Sequence, residues 1–143
     1  MTNKKSHLTA IIRNKVSRPM RELASKIIGP ALDYGCGRGF DADHFNMDKY
    51  DPHYFPEVKA KKYKTITCNY VLNVVDLKTA ADIIIKVRKL LRKNGTAYFT
   101  VRRDSFKEGF NSKGTFQRFV TLSWPIVKEV PGAYVIYEMK GLK

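Results

Sequence analysis

At 143 residues, 43% of them hydrophobic and with Cys36 and Cys68 as the only cysteines, the chain is sized for one domain in a reducing cytoplasm, with a core that needs no disulfide framework. No apolar run is long enough to span a membrane and the first residues do not resemble a signal-peptide core, so a cytosolic protein is expected. The formal charge of +14 points to a polyanionic partner, nucleic acid first, yet segment 31–58 holds six of the 13 acidic residues and only two of the 27 basic ones.

The expected organisation is a single domain, 1–143, with an N-terminal helical segment over 1–30 and an α/β core over 31–143. Apolar residues from Leu8 to Ile28 recur at helical spacing, and Pro19 must interrupt that helix or start a second one. Gly29-Pro30 closes the segment. Ala31 to Tyr34 reads as a short buried strand, followed by the glycine loop 35–39, a short helix near Ala42–Phe45 and a second strand near Asn46–Tyr50. Only thirteen residues separate Asp51 from Thr65, broken by Pro52 and Pro56, so a complete helix and a further strand do not fit there. Thr65–Tyr70 is a β-branched core strand. Ala80–Lys93 is an amphipathic helix ended by Asn94-Gly95, and Thr96–Arg102 is the next strand. Thr115–Leu122 and Ala133–Met139 are expected as closing strands, with a turn-rich stretch over Pro125–Gly132 between them. Strands alternating with helices give an open, Rossmann-like α/β sheet in a three-layer sandwich, minimal, with its third strand and helix shortened.

The chemistry concentrates in Asp33-Tyr34-Gly35-Cys36-Gly37-Arg38-Gly39, where a strand hands over to a helix. Glycines let the backbone turn sharply and admit a ligand that a β-carbon would push away. Phe40 stands where the dinucleotide fingerprint needs its last glycine, and no Gly-Lys-Ser/Thr follows, so neither that fingerprint nor a P-loop is present. Asp51, at the end of the next strand, is placed to accept hydrogen bonds from ribose hydroxyls.

Leu32 to Gly39 resembles motif I of the class I S-adenosylmethionine (SAM)-dependent methyltransferases. More narrowly, the chain resembles the methyltransferases associated with DNA phosphorothioation systems. The segments that carry this likeness are Thr9–Arg13 with Ser17-Arg18-Pro19, the glycine loop, Asp51–Tyr54, Asn69–Val75 and Gly114–Arg118. The resemblance implies SAM as cofactor, with Asp33, Gly35 and Gly37 at its methionine end, Asp51 on the ribose and Asn69 to Leu72 flanking the sulfonium. Tyr34, Cys36, Gly39, Pro52 and Tyr70 complete the implied cofactor set. The local carboxylates suit a cationic sulfonium. The acidic residue that methyltransferases usually place on a third strand against the adenine has no counterpart, leaving His53, Tyr54 or Phe55 to stack there.

Substrate contacts are expected from Arg13, Arg18, Arg102 and Arg103, either as ligand-binding cations or as solvated side chains. Thr9, Arg13, Ser17, Arg18 and Pro19 form either a lid over the cofactor or a capping and packing motif. The lysines of 59–64 read rather as a solvated loop than as a nucleic-acid contact. Cys36 and Cys68 read as small hydrophobes rather than nucleophiles, and His7, His44 and His53 lack metal-ligand spacing, so no metal site is expected. No residue is cast as general base. Asn69-Tyr70-Val71-Leu72 lacks the Pro-Pro pair of amino-methylating DNA enzymes. The function expected is methyl transfer to nucleic acid. The rivals are a SAM- or nucleotide-binding accessory without turnover and a small-metabolite methyltransferase.

Overall fold

A computed structural model of the chain describes residues 13–59, 62–112 and 114–142. Helix α1 (Arg18–Leu23) carries Pro19 in its first turn, where a missing N–H costs nothing, and buries Pro19, Met20 and Leu23. Thus Pro19 starts a helix. The part of the expected N-terminal helix before Arg13, including Thr9, lies outside the described residues.

Strand β1 (Ala31–Tyr34), helix α2 (Phe40–His44) and strand β2 (Asp48–Tyr50) follow as the sequence suggests. Next come β3 (Tyr63–Asn69), α3 (Leu77–Leu90), β4 (Leu91–Arg102), the small hairpin β5 (Gly109–Phe110) with β6 (Phe116–Gln117), and β7 (Ile126–Val130) with β8 (Tyr134–Lys140). Six strands form one sheet in the order β2-β1-β3-β4-β8-β7. The first four are mutually parallel, while β8 runs antiparallel to both β4 and β7.

Alternation along the strands sends side chains to two cores. Leu32, Ile66, Cys68, Phe99 and Val101 pack with Val87 of α3 on one face. Ala31, Tyr98, Tyr134 and Ile136 pack with Met20, Leu23 and Ala42 on the other. Helices cover both faces, giving three layers.

The sheet ends at β2, and the link from there to β3 contains only a tight turn closed by the Asp51–Phe55 bridge, with no helix among its described residues. The outermost strand of the doubly wound order is therefore missing, as the short spacing requires. Other boundaries differ from expectation. Helix α3 starts earlier, because Asp76 caps it by accepting from Thr79 N at 2.8 Å. Asn94-Gly95 is a bulge and not the helix terminator: Tyr63 pairs with Leu91 but Thr65 with Thr96, and Asn94 has φ +65°. The strand expected over Thr115–Leu122 shrinks to Phe116–Gln117, since Val120, Leu122 and Trp124 turn to pack on the core. The supposed turn region Pro125–Gly132 contains β7, whose exposed edge position tolerates the polar sequence Lys128-Glu129.

Candidate functional site

The parallel strands deliver their C-terminal ends to one cavity of about 1090 Å³. Of the expected cofactor residues, Asp33, Tyr34, Gly35, Cys36, Gly37, Gly39, Asp51, Pro52, Asn69 and Tyr70 all line it. Arg13, Arg18 and Arg102 line it too. Two expected residues do not. Leu72 is swung inward by the 3-10 turn Leu72–Val74 and sits in the core on the α3 face, 1% exposed. Arg103 lies against the Phe119 ring and donates to Tyr137 Oη at 3.1 Å, on the far side of its strand from Arg102.

The glycine loop owes its shape to φ values of +85°, +56° and +89° at Gly35, Gly37 and Gly39. A β-carbon on Gly35 would stand 2.3 Å from Val71 Cγ2, so the loop and the residues after β3 touch through the space a side chain would fill. Its amides are already used: Gly35 N and Cys36 N donate to Tyr50 O, and Gly39 N donates to Cys36 O. Asp51, 8% exposed, accepts from Gly37 N at 3.0 Å, His53 N at 2.9 Å and Tyr54 N at 3.2 Å. A carboxylate has about four acceptor positions, so three are spent on bracing the loop and one is left for a ligand hydroxyl.

Asp33 is buried beside this loop and accepts from Thr67 Oγ1 at 2.9 Å. Burial, reinforced by the Asp41 and Asp51 charges and opposed by the Thr67 bond, pushes its carboxyl up to about 7. A cationic ligand in the cavity would favour its ionised form. Burial likewise pushes the Cys36 thiol up to about 12 and raises Cys68, so neither is a thiolate near neutrality.

Beyond β3 the chain turns through Tyr70 in the left-handed region, φ +60°, with Tyr70 N donating to Thr100 O at 2.8 Å. Bulky residues rarely adopt this conformation, and strain of this kind gathers at functional sites. Asn69 is oriented by Thr100 Oγ1, which donates to its Oδ1 at 2.6 Å, while its buried Nδ2 finds no partner among the described residues. Asn73, 2% exposed, donates from Nδ2 to Gln117 Oε1 at 3.0 Å and leaves Oδ1 without a partner among them. Each such buried orphan costs about 1–3 kcal/mol.

The N-terminal segment joins the site through Ser17, whose N and Oγ donate to Asp41 at 3.0 and 2.7 Å. It therefore packs and lines at once: Ser17, Arg13 and Arg18 face the cavity while Pro19 is buried. At the rim Arg38 lies over Tyr54, and Arg102 is paired with Asp104, whose carboxyl it holds below the usual carboxylate range. Of the three aromatic candidates after Asp51, His53 alone lines the cavity; Tyr54 carries Arg38 and Phe55 carries Lys49. Lys62 and Lys64 donate to Lys89 O and Asn94 O at the opposite end of the parallel strands, where β3 begins. Among the described residues no group of three or more His, Cys, Asp or Glu is placed to hold a metal, and no helix is long and apolar enough to cross a membrane.

Sequence reasoning missed Asp41, Asn73, Asp104 and Gln117 as cavity residues. Asn73 and Gln117 lie within two of the segments that carried the family resemblance, and that was the available signal.

No protein-family model and no curated protein matches the sequence. The fold does have relatives among solved structures. The 1,6-didemethyltoxoflavin-N1-methyltransferase of Burkholderia thailandensis, with bound 1,6-didemethyltoxoflavin and S-adenosylhomocysteine, superposes with a TM-score of 0.63 at 16% identity, over 88% of this chain and 78% of that one. The N-methyltransferase NodS of Bradyrhizobium japonicum WM9, in complex with S-adenosylhomocysteine, gives 0.52 at 10% identity, over 87% and 84%. The chain thus has the Rossmann-like α/β fold of SAM-dependent methyltransferases.

Proposed function

We propose that the chain binds SAM in this cavity and transfers its methyl group to an acceptor in nucleic acid. The observation that carries the reading is the meeting of the glycine loop, Asp33 and Asp51 at the C-terminal ends of β1 and β2, in a sheet of methyltransferase topology. The residues fit the cofactor. Left-handed glycines leave room for close approach, Asp33, Asp41 and Asp51 supply negative charge for a cationic ligand, and the partnerless Asn69 Nδ2 is a donor waiting for an acceptor.

Asp51 would take a ribose hydroxyl with its remaining acceptor position, and Asp33 and Asn69 would hold the methionine end. Bound there, SAM supplies a methyl group made electrophilic by the sulfonium. The chain's part is to orient the partners and exclude water. The Tyr70 phenol, which burial pushes up to about 12, stays protonated and serves as a hydrogen-bond donor, not as a base.

Nucleic acid as acceptor is supported by the +14 charge and by Arg13, Arg18, Arg38 and Lys86 around the cavity. The finer kinship, with methyltransferases associated with DNA phosphorothioation, rests on the sequence segments alone. A small metabolite is the second reading, favoured by Asp104, which neutralises Arg102 at the rim. The two relatives described above are N-methyltransferases by name, so nitrogen is the acceptor atom to test first. Calorimetry with S-adenosylhomocysteine, then mass spectrometry after incubation with SAM and mixed nucleic acid, tests the proposal. The expected results are binding and a methylated nucleic-acid product. No heat from folded protein removes the reading, and binding without product leaves the accessory role.

A further inference from the structure

We infer that Asn73 and Gln117 form the recognition edge for the methyl acceptor, and that this edge takes a planar nitrogen heterocycle with an N–H donor beside an acceptor, as at the edge of a nucleobase. The inference rests on the cofactor reading above and adds the chemistry of the second ligand.

Asn73 is 2% exposed yet lines the cavity, and one side of its amide has no partner among the described residues. Its other side is joined to Gln117 by a 3.0 Å hydrogen bond. Two amides joined by one such bond retain a spare carbonyl on one and a spare N–H on the other. Turning both amides over exchanges the roles and leaves the same pair. The edge is therefore one acceptor beside one donor in either orientation. Adjacent donor and acceptor groups are what amide side chains read on bases, whereas an aliphatic amine, a hydroxyl or a phosphate offers no such pair.

The edge is also held rigid. Arg118 N donates to Asn73 O at 2.7 Å, and the Arg118 guanidinium donates to Val75 O and Leu72 O, both at 3.2 Å. The turn after β3 is thereby clamped to the strand that carries Gln117, so Arg118 is a positioning residue. Val74 and Ile83, which line the cavity, give apolar contact for a flat ring.

Placement assigns the edge to the acceptor and not to the cofactor's own adenine. The ribose-holding Asp51 follows β2, the glycine loop follows β1, Asn73 follows β3 and Gln117 comes from the hairpin after β4. Asn73 and Gln117 thus lie across β3 from the ribose end. At about 1090 Å³ the cavity slightly exceeds the range that single small-molecule ligands occupy, roughly 300–1,000 Å³, and leaves room for two.

Calorimetry on protein saturated with S-adenosylhomocysteine tests this. The probes are 9-methyladenine and 1-methylcytosine, the matching parent rings without the amino group (9-methylpurine and pyrimidine), and single-stranded oligonucleotides of dA or dC against an abasic strand. Adenine or cytosine, free or in the strand, should bind roughly tenfold or more tightly than the parent ring or abasic strand. Gln117→Glu and Gln117→Met, at a half-buried position, should erase that preference while S-adenosylhomocysteine affinity stays within about twofold. Preference in free bases identifies a small-molecule source, and preference in the strand alone identifies a polynucleotide. Equal binding of base and parent ring overturns the inference. So does a matching loss of S-adenosylhomocysteine affinity in the Gln117 variants, which would assign the edge to the cofactor's adenine. If wild-type protein discriminates bases but does not bind S-adenosylhomocysteine, the edge stands and the methyltransferase reading falls.

Discussion

The two sides of the cavity are built on opposite plans. On the β1–β2 side shape comes from backbone, and most polar groups are spent: the amides of Gly35, Cys36, Gly37 and Gly39 donate to Tyr50, Cys36 and Asp51, and Asp51 accepts three times, with one position left. On the β3–β4 side shape comes from side chains, and polar atoms are left over at Asn69 and Asn73. A satisfied wall is preorganised and costs no reordering when a ligand arrives, whereas an unsatisfied wall selects the ligand that completes it. The first plan suits a fixed cofactor, and the second a ligand chosen by what it completes: the cofactor's methionine end at Asn69 and the acceptor at Asn73.

The sharpest way to break the first side is Gly35→Val. The new side chain meets Val71 at once in a left-handed backbone, so S-adenosylhomocysteine binding should fall by about a hundredfold or more, and stability by about 1–3 kcal/mol. Calorimetry and thermal melts check both. Undiminished affinity would show that the loop is not the cofactor wall.

Asp33→Asn should separate stability from binding. The folded carboxyl holds its proton up to about 7, while the unfolded one releases it near the ordinary value of 3.8. Between those limits the folded state binds more protons, so wild-type stability should fall as pH rises from about 4 to 7 and then level off. The Asn variant should lack that decline and melt higher at pH 8, yet bind SAM far more weakly. In wild-type protein, SAM affinity should rise with pH through about 7, because the cationic ligand needs the ionised carboxylate. Melts and calorimetry from pH 5.5 to 8.5 read both trends, and a pH-independent affinity would remove Asp33 from the site.

Thr100→Val releases Asn69 on the other side. Without that hydrogen bond stability should drop by about 1 kcal/mol, and a rotating Asn69 should weaken S-adenosylhomocysteine binding several-fold, less than either change above. The smallest effects belong to surface charge. Reversing Arg18, Arg38 or Lys86 should weaken binding to duplex DNA and lower the salt slope by about 0.9 for each phosphate no longer neutralised, whereas Lys62→Glu at the opposite end of the strands should do little. Gel shifts at several salt concentrations compare the two sets, and equal weakening by both would mean diffuse attraction.

The contrast between the sides also explains what was legible. Gly35, Gly37 and Gly39 announce a left-handed loop because few other residues adopt those angles, and the thirteen residues before Thr65 announce a missing element because a crossover has a minimum length. These are local constraints, and the chain writes them locally. Leu72 and Arg103 lie outside the cavity because one turn of 3-10 helix, or one step along the chain, reverses the direction in which a side chain points.

The sequence by itself determined the order of strands and helices from Ala31 to Arg102, the glycine loop with its two aspartates, and the shortened edge of the sheet. Only the tertiary structure decided that Asn94-Gly95 is a bulge, that β7 extends the sheet, and that Arg102 is neutralised at the rim. It alone brought Asn73 to Gln117, forty-four residues apart in the chain. The physical reason is that a spare hydrogen-bonding atom is not a property of a residue type; it exists only after every neighbour has been placed and has taken or left its share.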